Sequence, residues 1–334
     1  MIKLSYGGTA ILFDSAFPDS KRGMRCVSHA HSDHVSGGGL VVSTAGTAAL
    51  MRGVWDMEAR FKTLEYGEPL KHQGLKITPH NAGHVLGSSM FHVEADGLDL
   101  LYTGDINTAE TLTTKPAEPV EAEVLVIECT YGHPDFIFPS RSRIYAEILR
   151  WATSTVSSGA IPAFKAYSIG KSQELVKLFN TYTTLPVVTG PVVSKASKTY
   201  VEQGEKLEFH TTRSAEGRRL LATGKCVYID SQVRTVPTHR RVKWAVATGW
   251  SLKYGYRGFD AAFPLSGHAD FKQLLSFVEE VGPKKVFAVH GYSRVFTSFL
   301  RRRGFDARPL EDVAVQDLLR LSYGGVVLTR LVID

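Results

Sequence analysis

Through the first third of the chain, apolar positions alternate with polar ones or run in short blocks, the spacing of β-strands. The opening 14 residues alternate in this way and end in Ala10-Ile11-Leu12-Phe13-Asp14. The pattern predicts further strands at residues 24–28, 40–43, 75–79, 90–95, 98–103 and 124–128, with one short helix at 47–54. Strands in this number, with helices to cover the outer faces, predict an α/β fold of the αββα sandwich type.

From about Arg141 the period lengthens to that of helices. The sequence predicts a helix at 144–156, a strand at 160–164, an amphipathic helix at 171–182, a strand at 185–189, a helix at 194–202 and a strand at 226–229. This alternation is the rhythm of a small parallel-sheet unit. Strand, helix, strand and helix then follow at 242–248, 271–281, 286–289 and 296–303. One short echo links Lys3-Leu4-Ser5-Tyr6-Gly7-Gly8 with Arg320-Leu321-Ser322-Tyr323-Gly324-Gly325, a match that two similar hairpins would produce.

Charge sharpens the division. The 334 residues carry a net charge of +6, but residues 139–257 hold 19 Lys+Arg against 7 Asp+Glu, and the remainder holds 20 against 26. An acidic part suits metal binding and a basic part suits a polyanion. Period and charge together outline a unit at 154–243 inserted into a domain made of 1–153 and 244–334. No apolar run approaches the roughly 20 residues that span a bilayer, which argues against a membrane protein. The start shows no signal-peptide pattern. Cys26, Cys129 and Cys226 are widely spaced and odd in number, and so read as buried thiols of a reducing cytoplasm rather than a disulfide framework.

The densest chemistry is His29-Ala30-His31-Ser32-Asp33-His34, four metal-ligand types within six residues directly after a predicted strand. Imidazole nitrogen and carboxylate oxygen suit zinc, and crowding them has no packing rationale. Alternating His29 and His31 can face one ion while Asp33 and His34 turn to a second, the layout of a two-metal hydrolase. More ligand types sit at later strand ends: His84 in Ala-Gly-His-Val-Leu-Gly-Ser, Asp105 in Tyr-Thr-Gly-Asp, and His290 in Val-His-Gly-Tyr. A carboxylate at Asp105 can bridge two ions. His268, in Leu-Ser-Gly-His-Ala-Asp, lies 22 residues before His290. The isolated His72, His80, His92, His133, His210 and His239 read as structural.

In this order, the motifs resemble the metallo-β-lactamase superfamily, and within it the β-CASP nucleases, relatives of the polyadenylation endonuclease, Artemis and RNase J. The resemblance covers about residues 10 to 305. Glu128, in Ile-Glu-Cys-Thr-Tyr-Gly, matches that family's acidic motif, and Lys171-Ser172-Gln173-Glu174-Leu175 is similar to the Gln-Glu-Leu helix of its inserted domain. The resemblance implies two Zn²⁺ ions, with Mn²⁺ as the alternative metal. It assigns His29, His31, His84 and Asp105 to one ion, and Asp33, His34, Asp105 and His290 to the other. Asp14 would orient a ligand. Water activated by the ions, with Asp33 in the catalytic set, would attack phosphorus, and His268, held by Glu128, would protonate the leaving oxygen.

Two departures narrow the resemblance. The last motif reads His-Gly-Tyr where the RNA-processing members usually have His-Gly-Glu, and the inserted unit is short. With Gly249-Trp250, these features look like a compact microbial exonuclease type associated with DNA ligases. A histidine at His290 goes with RNA-cleaving members instead, so both RNA processing and DNA repair stay open. The implied partners are single-stranded RNA or DNA, a second copy of the chain as a homodimer, and DNA ligase, helicase or RNA-processing proteins; no membrane is implied.

Other readings leave residues unexplained. A small-molecule hydrolase of glyoxalase-II or lactonase type accounts for the metal motif but not for the basic insertion, Glu128 or His268. An inactive nucleic-acid-binding subunit would not need every ligand position filled. Gly170-Lys171-Ser172 is not a phosphate-binding loop of the Walker type, because position 165 is Lys165 rather than glycine. Lys171, at a predicted helix start, and Arg240, Arg241, Lys253 and Arg257, interleaved with Trp250, Tyr254 and Tyr256, are the predicted nucleic-acid contacts.

Overall fold

The computed structural model describes residues 2–6, 8–15, 24–35, 39–312 and 327–330. Gly7 and residues 320–325, which carry most of the predicted echo, lie outside them. The chain forms two compact units. One comprises Met1–Glu110, Lys115–Pro134 and His268–Asp334; the other comprises Thr111–Thr114 and Asp135–Gly267.

The first unit opens with β1 (Ile2–Tyr6), β2 (Thr9–Phe13), β3 (Met24–Cys26), β4 (Leu40–Thr44), α1 (Ala45–Trp55) and β5 (Arg60–Leu64). It continues through β6 (Leu70–His72), β7 (Leu75–Asn81), β8 (Ser89–Ala95), β9 (Leu98–Tyr102) and β10 (Val124–Glu128). The second unit contributes α2 (Arg141–Ser157), β11 (Ile161–Lys165), α3 (Lys171–Tyr182), β12 (Val187–Thr189), α4 (Pro191–Glu202) and β13 (His210–Thr211). It ends with α5 (Ala215–Thr223), β14 (Val227–Asp230), β15 (Val242–Ala247) and β16 (Ala261–Phe263). The chain then returns to the first unit with α6 (Phe271–Val281), β17 (Lys285–Val289), α7 (Ser293–Arg302), β18 (Asp306–Pro309) and β19 (Val327–Arg330).

Two sheets form the first unit, in the orders β19-β1-β2-β3-β4-β5 and β18-β17-β10-β9-β8-β7-β6. Leu4, Ile11, Phe13, Met24 and Val42 of the first sheet pack against Ile77, Phe91, Val93, Leu100 and Val126 of the second in one buried cluster. Burying two apolar sheet faces against each other is what the alternating pattern requires. The far face of the second sheet is covered by α6 and α7. Phe271, Leu274, Leu275 and Val278, then Phe296 and Leu300, recur at helical spacing and meet Leu125, Ile127, Val286 and Ala288. Strand β10 is therefore buried on both faces, and its parallel pairing with β9 and β17 aligns their C-terminal ends.

That alignment positions the chemistry. Asp14 follows β2, His29 follows β3, Asp105 follows β9, Glu128 ends β10 and His290 follows β17. His84 comes from the loop between β7 and β8.

The second unit is a parallel sheet in the order β13-β12-β14-β11-β15-β16, as its strand–helix rhythm predicts. The unit runs from Asp135 to Gly267, wider than the 154–243 outlined by period and charge, because α2 packs on β11 through Trp151 and Phe164, and β15 and β16 extend the same sheet. Neither charge nor period registers which unit an element packs on. Among the described residues, no helix is long and apolar enough to cross a membrane, and the three cysteines are buried free thiols.

Candidate metal centre

Four nitrogen and oxygen atoms close a cage. His31 Nδ1 lies 3.1 Å from His29 Nε2 and 3.2 Å from His84 Nε2. Asp105 Oδ2 lies 3.4 Å from His29 Nε2 and 3.7 Å from His84 Nε2. These edges fit a metal: ligands about 2.05 Å from a tetrahedral zinc stand about 3.3 Å apart. The side chains of His29 and His84 are fully buried. Burial and then the surrounding imidazoles hold His29 well below the usual histidine range, in the neutral form a metal needs.

A hydrogen-bond chain sets the ligating nitrogen of His29. Asp14 Oδ1 accepts the Ser28 amide at 2.7 Å, and Oδ2 accepts the Ser28 hydroxyl at 2.6 Å and the Tyr102 hydroxyl at 2.7 Å. With its one proton given to Asp14, Ser28 Oγ accepts from His29 Nδ1, 2.9 Å away. The lone pair of His29 is thus left on Nε2, inside the cage. Asp14 holds a left-handed backbone at φ 48° and His290 one at φ 63°, two of the four such non-glycine residues among those described. Strain of this kind persists where the surroundings fix it. Gly104, at φ 54°, lets the backbone just before Asp105 pass close to Ser28, because a Cβ there would stand 2.5 Å from the Ser28 side chain.

His34 faces Asp14 with Nδ1, 3.1 Å from Oδ2 but without hydrogen-bond direction, leaving a buried unsatisfied nitrogen. Its Nε2 lies 3.6 Å from Asp33 Oδ2 and 3.9 Å from Asp105 Oδ2. Burial opposes protonation of His34, but Asp14 and then Asp105 outweigh it and raise its pKa to about 10. His34 in turn holds Asp14 low against its own burial. Asp105 is raised, by burial first.

Beside the cage, His268 Nδ1 lies 2.9 Å from Glu128 Oε1. Glu128 also accepts the amides of Ile106 at 3.3 Å and Thr130 at 2.8 Å. Despite burial, His268 and these bonds keep Glu128 below the usual carboxylate range. The His268 ring stands 4.5 Å from that of His84.

Sequence comparison places this arrangement among known proteins. A Methanocaldococcus jannaschii protein named "RNase J-like protein" is 30% identical over 338 residues, which cover 79% of this chain and 80% of that one. The chain belongs to the β-CASP nucleases of the metallo-β-lactamase superfamily. The family's "Zn-dependent metallo-hydrolase RNA specificity domain" matches residues 261–306, the stretch that carries both His268 and His290. A "Probable DNA ligase" of Opitutus terrae is 36% identical over 307 residues, covering 88% of this β-CASP chain and 29% of its own length. A solved Enterococcus faecalis protein of unknown function superposes with a TM-score of 0.64 at 12% identity over 86% of this chain and 90% of its own, a likeness of fold alone.

Among the described residues, the structure gathers His29, His31, His84 and Asp105 into one ligand group, Asp14, His29 and His34 into a second, and Asp105, Glu128 and His268 into a third. Asp33 and His290 join none of them. The Asp33 side chain is 80% exposed, and the His290 ring centroid stands 6.2 Å from that of His34. Tyr292, of the His-Gly-Tyr motif, sets its ring 5.1 Å from that of His133.

The predicted nucleic-acid contacts divide. Lys171 is buried, its ammonium 4.4 Å from the Tyr167 ring centre, so it is not the solvent-facing residue that an amphipathic helix implies. Arg240 Nε donates to the Ala222 carbonyl at 3.1 Å, and Lys253 pairs with Asp135 at 2.6 Å. Arg241 and Arg257 are exposed. The sequence did not single out Ser28 or Tyr102 as site residues. The signal for Ser28 is its place directly before the histidine cluster; Tyr102, an apolar strand residue by pattern, offers none.

Proposed function

We propose that the chain is a two-zinc phosphodiesterase that cleaves single-stranded RNA or DNA, with His268 as the general acid. The observation that carries this reading is an N₃O ligand cage beside which a buried Glu128 carboxylate holds the half-buried His268. Zinc in such a cage supplies activated water near neutral pH and offsets charge that develops on phosphate.

The ligands divide into two sets that both include Asp105. His29, His31, His84 and Asp105 would hold the first ion. His34, whose Nε2 lies 3.6 Å from Asp33 and 3.9 Å from Asp105, would hold the second together with Asp33, Asp105 and His290. Mn²⁺ is the alternative metal, which the carboxylates of Asp33 and Asp105 would suit. Asp14 does not ligate; three well-placed donors already engage its oxygens.

The protein's own contribution is to hold and move a proton. Ionised Glu128 keeps a proton on His268 Nδ1 and leaves Nε2 as the nitrogen that delivers one to the departing sugar oxygen. Arg241 and Arg257, exposed in a unit rich in cations, contact the phosphate backbone. The names of the relatives, RNase J-like and DNA ligase, support a nucleic-acid substrate. The same reading takes the setting as cytoplasmic and the companions as ligase, helicase or RNA-processing proteins, or a second copy of the chain.

The test is a gel assay with end-labelled single-stranded RNA and DNA of both polarities, run with zinc, with manganese and with chelator. Metal-dependent shortening of one nucleic acid, lost in His268→Ala, is expected. Turnover of thioesters or lactones with both nucleic acids left intact would overturn the reading.

A further inference from the structure

The Gln173-Glu174 pair at the start of α3 has no part in the metal centre, yet both side chains are buried. Gln173 is structural: its Oε1 accepts the Gly170 amide at 2.8 Å, and its Nε2 donates to Ser168 and Ser197. Glu174 holds a charge. Arg141 donates to it through Nε at 2.6 Å and Nη2 at 2.9 Å, and the Tyr145 hydroxyl donates to it as well. The side chains of Arg141 and Glu174 are only 17% and 4% exposed.

A buried ion pair contributes little stability that apolar side chains of similar volume would not. What apolar side chains cannot do is hold a backbone carbonyl. Arg141 Nη2 also donates to the carbonyl of Ser266 at 2.8 Å. Ser266 lies two residues before His268. On the other side of His268 the backbone is fixed again: the Ala269 amide donates to the Ile106 carbonyl at 2.8 Å, and Asp270 caps α6 through a reciprocal pair with Gln273.

We infer that Arg141, locked in place by Glu174, is a positioning residue for His268, acting through the Ser266 carbonyl. The guanidinium has the geometry for the task. Its planar fork serves the carboxylate on one edge and still presents a donor to the carbonyl, which a lysine ammonium cannot do with the same direction. The inference rests on the reading of His268 as general acid. Small displacements of such a group are costly, since a shift of about 1 Å can slow a reaction about 10²-fold.

The test uses the zinc-loaded full chain and two variants. Arg141→Met with Glu174→Leu removes both charges together, so no ion is left buried alone. Arg141→Lys keeps a cation beside Glu174 but loses the fork. Zinc content, thermal unfolding, and the imidazole nitrogen–proton resonances of His268, assigned by their loss in His268→Ala, are measured for each. So are kcat and KM on an oligonucleotide and on a nitrophenyl phosphodiester.

The double variant is expected to keep its zinc and its fold and to shift the His268 resonances. Its kcat on the oligonucleotide should fall about tenfold or more, with KM within about twofold and the nitrophenyl substrate slowed far less. Arg141→Lys should show the same split to a smaller degree, and it carries the test if the double variant does not fold. Unmoved His268 resonances would overturn the inference, as would equal slowing of both substrates by the variants when His268→Ala itself distinguishes them. If His268→Ala slows both substrates equally, the general-acid reading falls, and the resonances alone decide whether Arg141 positions His268.

Discussion

His268 Nδ1 donates to Glu128 Oε1 across 2.9 Å, and the ligand cage of His29, His31, His84 and Asp105 closes without either residue. Removing the His268 ring therefore leaves the cage intact. His268→Ala is expected to retain wild-type zinc and to bind oligonucleotide. Its cleavage rate should fall by about 10² or more, the usual contribution of a positioned general acid. A nitrophenyl phosphodiester, whose leaving group needs no proton, should be slowed much less. Loss of zinc in the variant, measured by elemental analysis, would make His268 a ligand instead.

One oxygen of Asp105 lies within 3.9 Å of three buried imidazoles, at 3.4 Å from His29, 3.7 Å from His84 and 3.9 Å from His34. Losing it should disturb two ions, whereas losing His31, which the ligand assignment gives to the first ion alone, should disturb one. With the wild type at about two zinc equivalents, His31→Ala should retain about one and Asp105→Ala distinctly less. Elemental analysis after dialysis against a fixed free zinc concentration measures both. Equal losses in the two variants would contradict a shared oxygen.

The candidate ligand cluster stood out in the sequence because metal chemistry restricts the residue types, and six consecutive residues from His29 to His34 have no packing reason to look as they do. Elements with a strong apolar pattern were legible as well: β10, α3 and α6 have the bounds that this pattern predicts. Exposed or very short elements were not. Strand β5, Arg60-Phe-Lys-Thr-Leu, is a sheet edge with polar side chains on both faces, and β16 has three residues. Helix α5 begins Ala-Glu-Gly-Arg-Arg, with too few apolar positions to reveal a face. Ser28 and Arg141 escaped for a different reason: serine and arginine are ordinary at almost any position, and only the fold shows that they hold a histidine or the carbonyl near one.

The Asp14–Ser28–His29 chain leads to a prediction about affinity rather than rate. Without the Ser28 hydroxyl, His29 Nδ1 loses its acceptor and the ring is free to turn or to move its proton onto Nε2. Ser28→Ala should weaken zinc binding about 10–100-fold, the usual effect of removing a partner behind a ligating histidine. Competition with a chromophoric chelator gives the constant. Unchanged affinity with normal folding would mean that the cage alone holds His29.

The His34–Asp14 pair makes the metal-stripped protein sensitive to pH, with a definite sign. The folded chain raises His34 from its ordinary 6.5 to about 10, because Asp14 and then Asp105 overcome the opposing effect of burial. A raised pKa means that the folded state holds the proton more tightly than the unfolded chain does. The contribution of charged His34 is therefore complete below pH 6.5 and is lost as pH rises through the interval to about 10. Asp14 behaves in the opposite sense. Its pKa is held below 3.8 by His34 against burial, so its contribution is present above that pH and is lost as acid protonates it. Both groups act together only between these limits. In thermal unfolding of chelator-treated protein, wild type should exceed His34→Gln by the widest margin at about pH 6, and the two should converge towards about pH 10. A margin that stays constant or widens from neutral to alkaline pH would show that His34 is uncharged in the folded apoprotein, and that Asp14 meets a neutral imidazole.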